Sequence, residues 1–230
     1  MRSLTLRSLI LAAVYVLAFL PGNASADFII GPGTAGTSTD LDTGNGTRLN
    51  ISLLSTLFTT GTYQPLTFNY DTGNFQAGAN GQVIPFLATY DISTTSYTVI
   101  AVGDVITTLR NQNDASAAFG GTTDFTITGN TQVYAGFQSL GTQNPITFIN
   151  GTTNTDHDNP GYTQAQLLVG FSFFNLLPAF TNPNLDRTYL FSVTAVPEPS
   201  SVSLLLLGIG AGIVAIRRRK QNRAAATKAN

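Results

Sequence analysis

The sequence predicts an all-β fold, an antiparallel β-sandwich of jelly-roll type, with a signal peptide before it and a single apolar helix after it. Three observations lead there. Residues 27–195 consist of short β-prone runs broken by Gly, Asn, Asp and Pro; no stretch in that region keeps a helical apolar period; and the long uninterrupted apolar runs lie outside it, near the two ends. An up-and-down barrel is the alternative arrangement of the same strands.

Taken in order, the first element is a leader. Arg2 and Arg7 precede an apolar run from Leu9 to Leu20, and Ala24-Ser25-Ala26 has the small-x-small pattern of a cleavage site. Twelve apolar residues at about 1.5 Å each fall well short of a hydrocarbon core of about 30 Å. The expectation is therefore a signal peptide over residues 1–26, removed by a signal peptidase to leave Asp27 first.

Strands are expected near residues 48–59, 66–70, 83–90, 97–102, 125–128, 132–137, 146–149, 166–174 and 188–196. Between them, Asp71-Thr72-Gly73-Asn74, Gly120-Gly121, Gly129-Asn130 and Asn159-Pro160-Gly161 are turn signals. Residues 113–118 read as one helical turn. Alternation in Thr67-Phe68-Asn69-Tyr70 and in residues 97–102 suits strands with one buried face. The core candidates are Phe68, Phe86, Val99, Phe125, Val133, Phe137, Phe148, Phe171, Phe173 and Phe191. No repeat at solenoid or propeller spacing is found.

Charge is strongly segregated. All twelve acidic residues fall between Asp27 and Glu198, where only Arg48, Arg110 and Arg187 oppose them, a net charge of −9. A region this acidic, without lysine, is a poor partner for phosphate backbones, so nucleic acid is not expected to bind. It suits an exterior of water or polysaccharide, with divalent cations nearby. Cysteine is absent, which removes disulfides, thiolate chemistry and Cys-ligated metal and leaves stability to the core.

Enzymatic chemistry finds little purchase, and the expectation is a protein that is not an enzyme. The sole histidine, His157, lies in Asp156-His157-Asp158 and reads as an exposed loop residue before a Pro-Gly turn. It has no Gly-x-Ser-x-Gly elbow to serve and no second His or Cys to share a zinc ion. The one glutamate, Glu198, belongs to the C-terminal segment, so paired carboxylates for glycoside hydrolysis would have to be aspartates. Calcium is the one cation the sequence suggests, through Asp40 and Asp42 in Asp40-Leu41-Asp42-Thr43-Gly44-Asn45-Gly46 and through Asp156 and Asp158. The first loop lacks the closing acidic ligand, since Ile51 stands twelve positions along. With tryptophan absent, Tyr63, Tyr90, Tyr134 and Tyr162 are the candidates for stacking on sugar, although strand tyrosines more often pack on the sheet. The sequons at Asn45, Asn50 and Asn150 read as incidental products of an Asn/Gly/Thr-rich chain. Three roles follow as expectations: a surface or matrix protein without catalysis, a carbohydrate- or calcium-binding module, and last a secreted hydrolase.

The C-terminal segment, residues 196–230, stacks three physically different pieces. Pro197 and Pro199 fix φ and lack N–H donors, so Pro197-Glu198-Pro199 is extended and cannot join a helix. Residues 200–216 carry no charge and reach the short end of bilayer-spanning length. Arg217, Arg218, Arg219 and Lys220 follow and mark the cytoplasmic side, which puts the acidic domain outside. This order of Pro-Glu-Pro, short apolar helix and basic cluster resembles the PEP-CTERM sorting signal of exopolysaccharide-producing bacteria. The resemblance covers about the last 35 residues. It implies export, transient retention in the membrane through the helix, and recognition of Pro197, Glu198 and Pro199 by an exosortase. The tail from Gln221 to Asn230 is longer than the pattern leads one to expect.

Overall fold

The computed structural model describes residues 27–35, 48–73, 81–121, 124–141, 143–150, 155–157, 167–174 and 187–198. Both apolar end segments, the loop with Asp40 and Asp42, and the turn at residues 159–161 lie outside them. All the regular structure among the described residues is β.

The strands are β1 (Phe28–Gly33), β2 (Arg48–Phe58), β3 (Gly61–Tyr70), β4 (Gln82–Asp91), β5 (Ser96–Val102), β6 (Ile106–Thr107) and β7 (Ala115–Ala118), followed by β8 (Phe125–Ile127), β9 (Thr131–Ser139), β10 (Phe148–Asn150), β11 (Thr155–His157), β12 (Ser172–Phe174), β13 (Arg187–Tyr189) and β14 (Phe191–Pro197). Every pairing is antiparallel. One sheet has the order β1-β14-β3-β7, with β8 beside the first part of β3; the other has the order β11-β2-β9-β4-β5-β12, with β6 beside the start of β4. A two-stranded ribbon, β10-β13, completes the set.

The two sheets form a sandwich because each supplies large apolar side chains to one shared core. Ile30, Tyr63, Phe68, Phe125, Phe191 and Val193 come from the first sheet and Phe58, Leu87, Val133 and Phe137 from the second. Phe137 lies at the centre, with ring centroids 5.0 Å from Phe191, 5.7 Å from Tyr189 and 6.3 Å from Phe68. The second sheet is also apolar on its other face, where Leu49, Ile51, Ile84, Phe86, Tyr97, Val99, Tyr134, Leu167 and Phe173 form a separate buried cluster. Its two central strands are accordingly buried without a break from Val83 to Ala88 and from Val133 to Ser139.

Of the ten expected core residues, nine are buried; Phe171 is half-buried at the margin of the second cluster. Two expectations are corrected. Ala115–Ala118 is a strand and not a helical turn: Thr67 to Tyr70 of β3 offer an open row of backbone groups, and pairing with them outweighs alanine's helical preference. His157 is in β11, opposite Asn50 of β2, and not in a loop.

Candidate functional site

The site singled out by sequence begins inside a strand. Residues 191–197 run between β1 and β3, with Phe28 opposite Ala195 on one side and Gln64 and Tyr63 opposite Val196 and Pro197 on the other. Ala195 is fully buried, Val196 and Pro197 are half-buried, and Glu198 is exposed. The strand ends where it does for a chemical reason: Pro197 has no N–H to give to the ladder, and a second proline follows two residues later. Pro199 and the basic cluster Arg217, Arg218, Arg219 and Lys220 lie outside the described residues.

The same end of the first sheet carries the start of the chain's described part. Phe28 stacks on Phe58 at 4.5 Å and meets Tyr63 edge-on at 5.6 Å, and the Tyr63 hydroxyl donates to the Thr59 carbonyl at 3.0 Å. Tyr63, a candidate for sugar stacking, is thus a buried core residue. Tyr90 and Tyr134 belong to an aromatic group with Tyr97 on the outer face of the second sheet, with centroids 4.8 Å apart for Tyr90–Tyr97 and 5.3 Å for Tyr97–Tyr134. Tyr162 lies outside the described residues.

Asp40, Asp42 and Asp158 lie outside the described residues, and Asp156 is placed only as a backbone position opposite Ile51. Among the described residues, no three His, Cys, Asp or Glu side chains gather closely enough to hold a metal ion. No helix of the described residues is long and apolar enough to cross a membrane.

Sequence reasoning missed a buried carboxyl. In the sequence Asp71 carries only a turn signal, yet it is almost fully buried where β3 ends. Burial pushes its pKa up; the N–H of Asp114, donated at 2.7 Å, pulls it down, and the nearby Asp114 carboxylate pushes it up again. Asp114 is held there at φ +50°, a left-handed conformation that Asp tolerates better than most residues, and it accepts the Thr34 hydroxyl. The backbone of Asp71 joins three segments, its N–H donating to Leu190 and its carbonyl accepting from Thr147. This is a tie between strand ends. The signal that could have found it is the run of three residues, Asp71-Thr72-Gly73, at a turn following a buried tyrosine.

Among known proteins, the family model described as the PEP-CTERM protein-sorting motif matches residues 195–220. No curated protein matches the chain. Among solved structures, a clostridial cysteine protease, Cwp84 after propeptide cleavage, is similar at 10% identity and a TM-score of 0.37, over 75% of this chain and 40% of that one. The chain therefore spans less than half the length of that protease.

Proposed function

We propose that this is a non-enzymatic protein of the cell surface or the exopolysaccharide matrix, a reading supported by the PEP-CTERM protein-sorting motif at residues 195–220, which implies an exported, envelope-associated protein handled by an exosortase-type system. The signal peptide over residues 1–26 brings it out. The apolar helix over residues 200–216 holds it in the membrane until an exosortase acts at Pro197-Glu198-Pro199.

The observation that carries this reading is the continuity of the last strand with the motif: β14 runs into Pro197 with no intervening residue. The β-sandwich is therefore the cargo that the motif sorts. A net charge of −9 over residues 27–198 suits hydrated polysaccharide, where like charge keeps the domain soluble and dispersed. No cofactor enters the reading.

The test is fractionation of the native host carrying the natural chain, a chain ending after Pro197, and a Glu198→Ala variant. The shortened chain is expected in the medium and the Glu198→Ala variant in the membrane fraction at full length. A distribution that is the same for all three would remove the sorting role. Chelation by EDTA is expected to leave the melting temperature unchanged; a drop would favour calcium at Asp40, Asp42, Asp156 and Asp158 instead.

A further inference from the structure

The sandwich and the Pro-Glu-Pro motif share a residue, since Pro197 is the last residue of β14. The compact unit ends at Pro197, and Glu198 is the first residue past the ladder. Ala195 is opposite Phe28 on one side and Pro65 on the other, and it is buried together with Val193 in the sandwich core.

An enzyme that cuts a chain takes it in extended form, with a few residues on each side of the bond free to pair with the enzyme. A strand already paired on both sides and packed into a core is not available in that way unless it first unfolds locally. Breaking the bond between Pro197 and Glu198 would require Ala195, Val196 and Pro197 to leave the sheet together. Breaking a bond beyond Glu198 asks at most for the last two residues, held on one side by β3, to fray.

We propose that the first sheet sets the cleavage position, so that the folded protein is severed at a peptide bond C-terminal to Glu198 and the released domain keeps β14 whole. This rests on the sorting reading above. In the step, the amide C–N bond breaks, the oxygen or nitrogen of a hydroxyl, water or amine acceptor bonds to the carbonyl carbon, and the acceptor's proton leaves with the departing amine. With water as acceptor the new end is a free carboxylate.

Two mass measurements test it. One is the intact mass of the protein recovered from the envelope and medium of the native host. The other is the mass of the product left when the full chain, solubilised in detergent, is treated with a broad-specificity protease. Both are expected to give a last residue at Glu198 or later. A product ending at Pro197 or earlier, from either source, overturns the proposal. A host protein that keeps residues through Asn230 would sink the sorting reading, and the protease product would then decide by itself whether the sheet protects residues up to Pro197. A short Gly-Ser spacer inserted between Val196 and Pro197 separates the sheet's effect from the enzyme's own preference. It should speed processing in the host several-fold; an unchanged rate means the sheet does not limit access, which also overturns the proposal.

Discussion

Gly136 stands in the middle of β9, opposite Phe86 of β4 on one side and Ile51 of β2 on the other. A methyl group there would lie 2.2 Å from Cζ of Phe86 and 2.6 Å from the carbonyl oxygen of Asn50. Carbon atoms sit comfortably from about 3.5 Å apart, so both approaches are severe overlaps. The Phe86 ring is fully buried and packed edge-on to Phe173 at 6.0 Å, which leaves it little room to turn aside. The Asn50 oxygen is backbone and cannot move without disturbing the β2–β9 ladder. Overpacking of a core commonly costs about 1–3 kcal/mol, and the backbone clash places Gly136→Ala at the upper end, about 3 kcal/mol. For a domain of this size each kcal/mol moves the melting temperature by about 2–4 °C, so thermal unfolding followed by circular dichroism should show a drop of about 6–12 °C. Phe86→Leu in the same chain removes the ring atoms that clash, so the double variant should lose less than the sum of the single losses. A drop of less than about 2 °C for Gly136→Ala, or strictly additive losses, would refute the claim that the ring fills the space above this glycine.

Phe137→Ala removes a fully buried ring from the shared core and should cost about 3–5 kcal/mol, read as a fall in the denaturant midpoint at constant slope. Asn50 is fully buried with neither side-chain amide atom hydrogen-bonded, so Asn50→Val should hold or raise stability by about 1 kcal/mol in the same assay; a loss of that size would show that the amide has a partner. Asp71 has a folded pKa raised above 3.8, so its contribution favours the fold at low pH and is lost as pH rises through that folded value. Asp71→Asn keeps an acceptor for the Asp114 N–H, and its melting temperature relative to the natural protein should climb between acid and neutral pH; a flat difference would refute the assignment. Asp91 accepts both the N–H and the hydroxyl of Ser93, at 2.8 Å and 2.7 Å, which hold its pKa below 3.8. Asp91→Ala should loosen the β4–β5 hairpin, seen as faster amide exchange at residues 92–97, an effect that fades as pH falls and the natural carboxylate protonates.

The strands that sequence could locate were those with a dense apolar run and turn chemistry on both sides, such as residues 83–90 and 132–137, which became β4 and β9 with one or two residues added at the ends. What escaped was set by partners distant in the chain. β1 has the sequence Phe-Ile-Ile-Gly-Pro-Gly, whose glycines and proline read as loop, and only pairing with β14 makes it a strand. Gly31 there, at φ +112°, puts its backbone beside that of Phe191 and Ser192, a close approach with no local signature. β7 is almost all alanine and small residues, and β11 is only three residues of polar sequence. The second apolar face of the larger sheet was legible only as an absence, since β4 and β9 lack the polar alternation of a sheet with one wet side. At the C-terminal motif the residues were readable because proline and charge act locally. That the motif starts in mid-sheet was not, because it depends on which strands flank β14.

That strand has a consequence for timing. Among the described residues β14 is the last strand, yet it lies in the interior of its sheet and β1, the first, pairs only with it there. The smaller sheet therefore cannot assemble until residue 197 has arrived, and pairing between the two ends of the chain is of the slow, non-local kind. In a chain exported unfolded from its N-terminus, closure of this sheet waits until residue 197 is across. When the sandwich closes, the first residue of the Pro-Glu-Pro motif is already part of its last described strand, so the fold and the sorting segment share Pro197.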